Sequence, residues 1–459
     1  MRSGLVVVLV VLLAASCNAQ PAAVKSAPAL PATSQPAGSS SPLADCVEAV
    51  LAGVATAEGQ VDHIVAVAEA VAKRWTGGAE LCVAGDTSFS DEAFYRAGGL
   101  IAMRRIWPEK AHHLAKTLPW SDVPDDAIIL YGLHRSVDAE MQVFQDVRAL
   151  SRSGRMVVLF GSSNWPICSK LLKQCQRRLP DGALWFIDTK LPVDTRLTAR
   201  HGVRYGDYAP AVSALHLWTF TAELIAACTR EGKTPGVWPS MLVDAWQDFE
   251  AKYRNVVFHD DITVGPIEAG ELGGQYLEVL GKQLRTALTS QPQTREGGRR
   301  LAAGRADRVV YAMVESHLLA GETHLPRELK NWSLVQRGFR WPQAARTVER
   351  GDTVLWLGYF NWPGRHVENM QRRGVSFVGA SVSGPQSELP RDVWWVPASW
   401  AYPDAVVELP GYPLKACPTS GIVQTVLLWG LVGETLDAAH DEAVGRAQRP
   451  SHQLQTAIR

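Results

Sequence analysis

Neither sign of charge is in excess in this 459-residue chain: Lys and Arg total 46, as do Asp and Glu, so the formal net charge is zero. A nucleic-acid binder ordinarily carries a basic excess, and that class is set aside. No Cys pair or Cys/His group stands at metal-ligand spacing, so no metal site is expected. No GxSxG, Walker or dinucleotide-binding fingerprint occurs. That removes the hydrolase elbow, the P-loop and the Rossmann signature, and no cofactor is expected. The apolar run near the N-terminus, residues 5–15, is too short to span a bilayer comfortably.

What is present is apolar mass. Hydrophobic residues make up 46% of the chain, and its length suits two ordinary domains. The 16 Trp are core and interface material, although Trp also stacks on sugar faces. Arg2, the apolar run and Ser16-Cys17 have the form of an export signal. The segment LLAASC resembles a bacterial lipobox, which makes Cys17 the expected lipidated N-terminus of an exported, envelope-anchored protein; an ordinary cleaved signal is the alternative. Residues 1–17 are thus read as signal and 18–42, rich in Ala, Pro and Ser, as a flexible tether. Export permits disulfides among the other six Cys. Cys82, inside an apolar strand, and Cys228, at a helix end, nevertheless read as buried thiols, and Cys168 and Cys175 lie two helical turns apart, too far for a bridge.

The most informative stretch is 126–164, DAIILYGLHRSVDAEMQVFQDVRALSRSGRMVVLFGSSN. Residues 127–131 form an apolar run of strand length closed by Gly132. Val137, Met141, Phe144, Val147 and Leu150 then recur at the helical period. Ser153-Gly154 stops that helix, and 156–160 form a second apolar strand closed by Gly161-Ser162-Ser163-Asn164. Strand, helix, strand predicts a βαβ unit and a parallel sheet. Ligands of such sheets bind beyond the carboxyl ends of the strands. Further strands are expected at 81–84 and 183–187, and helices over 45–76, 166–178 and 211–231. Another helix is expected to start at Asp91, with acid in its first turn.

The pattern then restarts. A helix is expected over 276–302, interrupted by the polar 291–298. Strands follow at 308–314, 352–358, 375–380 and 392–396, with a short helix at 366–373 and a closing helix at 419–439. Residues 126–132 match 352–358 at an offset of 226, and the strands starting at 81 and 309 match at 228. The helices LHLWTFTAEL and VLLWGLVGET align Trp218 with Trp429 and Glu223 with Glu434 at 211. This is an internal duplication, with a first domain over 43–260, a second over 261–445 and a flexible tail at 446–459. Asn-Trp-Pro occurs at 164 and at 361, but after non-equivalent strands, and is taken as coincidence.

Two βα-rich halves, each opened by a long helix and closed by a WxxxxE helix, resemble the tandem sugar isomerase (SIS) family. Gly85-Asp86-Thr87-Ser88 resembles its first phosphosugar loop. His134-Arg135-Ser136-Val137-Asp138-Ala139-Glu140 stands where the family has SxSGxTxE, with Val137 in place of the second Gly. Gly161-Ser162-Ser163-Asn164 resembles the loop after the third strand, and Thr419-Ser420-Gly421 also looks like SIS sequence. The resemblance implies an α/β fold: two flavodoxin-like three-layer αβα domains with parallel sheets that bind phosphosugars. In the second half Glu315-Ser316-His317 and Tyr359-Phe360-Asn361-Trp362 replace the Ser/Thr loops, so no phosphate is expected there.

The candidate ligand contacts are Thr87, Ser88, Arg135, Ser136, Ser162 and Ser163, because hydroxyls and N–H groups at helix starts suit anions; the same residue types cap helices everywhere. His134 and Glu140 are the candidate acid–base groups for moving a proton between adjacent carbons, and both also have structural readings. Glu223 and Glu434, repeated inside apolar helices, are expected to be partly buried and hydrogen-bonded. His259-Asp260-Asp261 lacks a second ligand group and His112-His113 reads as a solvated face. The expected function is binding of a sugar or sugar phosphate in the first half, with isomerase activity left open. The alternatives are a non-catalytic carbohydrate-binding or sensor lipoprotein and a two-lobed periplasmic binding protein. The expected partners are that ligand and, through the lipid anchor, the membrane; self-association is left open.

Overall fold

The computed structural model describes residues 41–448 apart from 95, 107–116, 134–153, 176–181, 241, 245, 304–307, 315–318, 320–327, 330, 331, 336–346, 360, 386, 387 and 401–403. The helix expected over 136–150, the tail and everything before Ser41 lie outside these residues.

Continuous apolar runs become buried parallel strands. In the first half β1 (Leu81–Gly85), β2 (Arg104–Ile106), β3 (Thr117–Leu118), β4 (Ile128–Gly132), β5 (Met156–Gly161) and β6 (Leu184–Asp188) form a sheet of order β3-β2-β1-β4-β5-β6. After β7 (Leu197–Thr198) and β8 (Arg204–Tyr205), a small hairpin, the second half repeats the layout. Its strands β9 (Val310–Val314), β10 (Trp332–Val335), β11 (Thr353–Leu357), β12 (Ser376–Ser381) and β13 (Val393–Pro397) run in the order β10-β9-β11-β12-β13. Every pairing within both sheets is parallel. Apart from the edge strand β3, the two orders are the same, the flavodoxin-like 2-1-3-4-5. The chain is therefore two αβα units related by duplication. The topology also separates the two Asn-Trp-Pro segments, since one follows β5 and the other follows β11, the counterpart of β4.

Several boundaries differ from expectation for local reasons. The helical region 45–76 is two helices, α1 (Pro42–Glu58) and α2 (Val61–Thr76), broken at Gly59-Gln60. Ser41 caps α1 by accepting from the Ala44 N–H at 3.2 Å. The helix expected at Asp91 starts earlier, as α3 (Thr87–Ala93), because Asp86 caps it. α4 (Pro166–Cys175) follows β5, and α5 (Ala209–Arg230) closes the first half. After α6 (Trp246–Tyr253) and α7 (Glu271–Ala287), the polar stretch expected to break a helix is itself α8 (Gln291–Ala302). Pro292 falls in its first turn, where a missing N–H costs nothing. α9 (Gly364–Arg372) and α10 (Ser420–Gln448) complete the set, with the hairpin β14 (Ala405–Val407) and β15 (Ala416–Pro418) before α10.

α5 and α10 are long and apolar enough to cross a membrane, but 94% and 89% of those windows are buried; both are core helices. They sit in a central layer with α1 and α7. Here the halves exchange elements: α1, which opens the first half, packs on α10, and α7, which opens the second, packs on α5. One hydrophobic cluster accordingly runs from Leu43 to Leu436 through both sheets. β11 shows the strand alternation directly. Leu355 and Leu357 face that cluster, while Val354 and Trp356 join a smaller one with Val367 and Met370 of α9.

The halves also meet through a buried charge cluster. Arg96 lies just after α3 and is 1% exposed. Its guanidinium lies 3.4 Å from Glu92 Oε1 and 3.2 Å from Asp404 Oδ2, and it donates to Ser420 Oγ at 2.6 Å. Glu92 also accepts from Trp218 Nε1 at 3.0 Å. Asp404 accepts from the Ser420 N–H at 2.9 Å, at the start of α10, and from the Tyr359 hydroxyl. Burial raises the Tyr359 hydroxyl above its ordinary range, and the carboxylates hold Arg96 charged. Beside the cluster the backbones touch: Gly98 O accepts from the Cys417 N–H at 2.9 Å. Gly98 has φ +81°, and a Cβ there would meet Ala405 Cβ at 2.8 Å.

Two outcomes follow. Arg96→Met strands two buried carboxylates and is expected to destabilise the chain by about 3–5 kcal/mol, part of it recovered by adding Asp404→Asn; denaturant midpoints check this. His216 of α5 is fully buried, with Nδ1 2.8 Å from Val212 O, and burial lowers its pKa to about 4. The unfolded chain therefore takes this proton first. The contribution is complete above about pH 6.5 and is lost as pH falls toward 4, about 3 kcal/mol in all. His216→Leu removes that slope in pH-dependent melting compared with the parent.

Candidate functional site

The ends of β1, β4 and β5 are all glycine, and the reason is space. Gly85 has φ +93°, and a Cβ there would run into the Gly132 carbonyl. A Cβ on Gly132 would enter the Phe89 ring, and one on Gly161 would meet Leu133 and Cys168. After β1 and β5 the chain therefore leaves the strand at once, and helices start at Thr87 and Pro166 close to the sheet edge. β1 and β4 are adjacent in space, although the chain runs out to β2 and β3 between them. This reversal point is where such sheets open a crevice. With strands about 4.8 Å apart, the ends of β1 and β5 lie roughly 10 Å from each other.

The loops after β1 and β5 are each held by a carboxylate of the chain. Asp86 Oδ1 accepts from the Ser88 N–H at 2.9 Å, from the Phe89 N–H at 3.3 Å and from the Ser88 hydroxyl. Across the edge, Asp188 Oδ1 at the end of β6 accepts from the Ser163 N–H at 2.9 Å and the Lys190 N–H at 3.0 Å. Its Oδ2 lies 2.7 Å from Lys190 Nζ. These carboxylates stand where an anionic ligand would meet backbone N–H groups. The Lys190 ammonium is 56% exposed and also donates to Ser163 Oγ at 3.2 Å.

The sequence-derived candidates therefore separate. Ser162 is fully buried, and its hydroxyl donates to Leu191 O at 2.6 Å. With Asn164 Nδ2 on Lys190 O and Leu191 O, and Trp165 Nε1 on Pro192 O, it stitches the 161–165 turn to 190–192. Ser88 is half-buried and bonded to Asp86; Thr87 is exposed; Ser163 is half-buried, its hydroxyl facing Lys190. His134, Arg135, Ser136 and Glu140 lie outside the described residues, as do Cys17, His112, His113 and Glu315 to His317. Lys190 and Asp188 were not singled out from sequence. The available signal was their place after a fourth apolar strand.

In the second half, large side chains pack at the strand ends. Tyr359 turns into the junction cluster, and Trp362 packs over Gly379 and against Phe377, ring centroids 5.5 Å apart. Gln424 Nε2 of α10 donates to Gly358 O at 2.7 Å. Elsewhere, Glu223 is buried and hydrogen-bonded as expected: Oε2 and Oε1 accept from the Gly270 and Gly273 N–H groups at 2.9 and 2.6 Å, at the start of α7. Burial raises its pKa despite these bonds. His259 is spent on the Tyr412 hydroxyl at 2.8 Å, and Asp261 on Lys252 and Tyr253. Cys46, Cys82, Cys168, Cys228 and Cys417 are free and buried, and burial pushes the Cys82 thiol up to about 12. Such thiols are inert.

No protein-family model matches the chain, and no curated protein sequence does. Among solved structures, it is similar to a protein of Salmonella typhimurium LT2 described as sugar-binding: TM-score 0.47, 9% identity, 86% of this chain and 98% of that one. A protein of Silicibacter pomeroyi assigned as a phosphosugar isomerase gives 0.40 at 12% identity, over 88% and 98%. Glucosamine-6-phosphate deaminase of Thermotoga maritima gives 0.36 at 10% identity, over 87% and 97%.

Proposed function

We propose that the first half binds a sugar or sugar phosphate at the ends of β1, β4, β5 and β6, and that the chain is a tandem SIS-family member. One observation carries the reading. At the opening of the first sheet a carboxylate, a hydroxyl and an exposed ammonium, those of Asp188, Ser163 and Lys190, meet within hydrogen-bonding distance. Sugar hydroxyls both donate and accept, and such a mixed set suits them. Lys190 and Ser163 supply the anion contact for a phosphorylated ligand, with Thr87 exposed on the opposite loop.

Binding without turnover is the better-supported form. Asp86 and Asp188 already occupy the backbone donors at two helix starts, so a phosphate is gripped less fully than by an empty anion cradle. His134 as base with Glu140 is the pair an isomerase would use.

Calorimetry with glucosamine 6-phosphate and with glucosamine tests the site. Ser163→Ala combined with Lys190→Gln is expected to weaken the phosphosugar about tenfold, one charge-assisted contact, and the plain sugar less. Saturable binding untouched by the double variant, or no heat from either sugar, defeats the assignment.

We also propose that Cys17 is lipidated and tethers the protein to the bacterial envelope, on the strength of the lipobox-like LLAASC. Acyl labelling in cells is expected to mark the chain and to vanish in Cys17→Ser; equal label in both excludes the anchor.

A further inference from the structure

A cavity of about 300 Å³ lies between the halves, and none of the strand-end loop residues described above lines it. Its wall comes from α8 and α10 of the second half and from the β7–β8 turn and the start of α1 of the first. The polar lining is Arg200, Arg295, Arg299, Glu434, Asp437 and Asp441. Along α10, Glu434 lies about 21 Å from Ser420 at the helical rise.

The lining divides into a satisfied part and an open part. Arg200 is engaged: its Nε meets Asp437 Oδ2 at 2.7 Å, its backbone N–H donates to Asp437 Oδ1 at 3.0 Å, and a further nitrogen reaches Asp441 at 3.1 Å. Arg295 and Arg299 stand four apart on one face of α8. Their carboxylate neighbours are at 3.8 Å (Glu434) and 3.7 Å (Glu296), and they are 49% and 64% exposed. Glu434 is only 6% exposed; its Oε1 is closed off from solvent without a hydrogen bond among the described residues, and its Oε2 lies 3.8 Å from Arg295 Nε, too far for one.

The duplication shows how this arose. Glu223 and Glu434 are counterparts, each five residues after a Trp in a closing helix. Each lies against a glycine of a neighbouring helix: a Cβ on Gly273 would meet Glu223 Oε1 at 2.8 Å, and one on Gly298 would meet Glu434 Cβ at 2.5 Å. Gly273 is at the start of α7, where N–H groups are free to bond the carboxylate. Gly298 is inside α8, where N–H groups serve the helix itself. The same residue is therefore complete in one half and short of a donor in the other.

We propose that this cavity binds a small zwitterion carrying an amine and a phosphate. The amine donates to Glu434, and the phosphate lies against the Arg295 and Arg299 guanidiniums. The lining is electrically balanced, three guanidiniums against three carboxylates, which suits a zwitterion over a bare anion. Planar guanidiniums suit its phosphate oxygens.

Calorimetry of the full chain with O-phosphoethanolamine, inorganic phosphate and ethanolamine tests this. O-phosphoethanolamine is expected to bind about tenfold or more tighter than either fragment. Arg299→Gln, at an exposed position that folding tolerates, is expected to weaken it about tenfold, and Glu434→Gln to remove its advantage over phosphate. Ser163→Ala with Lys190→Gln leaves this binding unchanged, which separates the cavity from the strand-end site. No saturable binding of O-phosphoethanolamine, equal affinity for phosphate, or full affinity in Arg299→Gln overturns the proposal.

Discussion

The Arg96 guanidinium is the point on which the two halves depend. A buried charge is tolerated only when paired and hydrogen-bonded, and its partners come from both sides: Glu92 from the first half, Asp404 and Ser420 from the second. Two carboxylates against one guanidinium leave a negative excess. The first N–H of α10 answers it at Asp404, where the helix dipole also favours negative charge. The cluster thus fixes where α10 begins and, through α10, where the second sheet sits. Apolar packing between the halves supplies most of the stabilisation, but it is non-directional. The ionic cluster has one satisfying geometry and so specifies the junction.

Duplication gave both halves the same frame and different edges. The first half keeps glycine at three strand ends, with small polar loops after β1 and β5. The second covers its edge with Tyr359, Trp362 and the polar face of α10. The closing-helix glutamates diverged in the other direction. Glu223 became a helix-start acceptor, whereas Glu434 is overlaid by the middle of α8. Each half therefore has polar capacity unused by its own fold, at opposite ends of the repeated unit.

Much of the fold was legible because parallel strands are buried on both faces and read as uninterrupted apolar runs between glycines. β4 and β11 were found within a residue of their ends. β2, β3 and β10, at or next to the sheet edges, were not, being short where a sheet is half-covered. α8 was missed because Pro292, Gly297 and Gly298 signal turns locally. Their placement in the first turn and against α10 is a tertiary matter that single-sequence reading does not reach. The junction was hidden for the same reason: Glu92 and Arg96 read as the opening of a helix, while the Asp404 and Ser420 partners of Arg96 lie more than 300 residues further on. Of the candidate site, hydroxyl positions were legible, but whether each hydroxyl is spent internally, as Ser162 is, depends on the loop after β6.

The exchange of opening helices has a consequence for how the chain comes into being. α1 is the first helix of the described chain and α10 the last, and they pack together. On a ribosome, the part of the apolar face of α1 that α10 covers waits until a helix more than 350 residues further on has been synthesised. Contacts of such sequence separation are slow to form, and exposed apolar surface invites association meanwhile. The first half can order its sheet early, but its share of the central helical layer is completed only when α10 arrives.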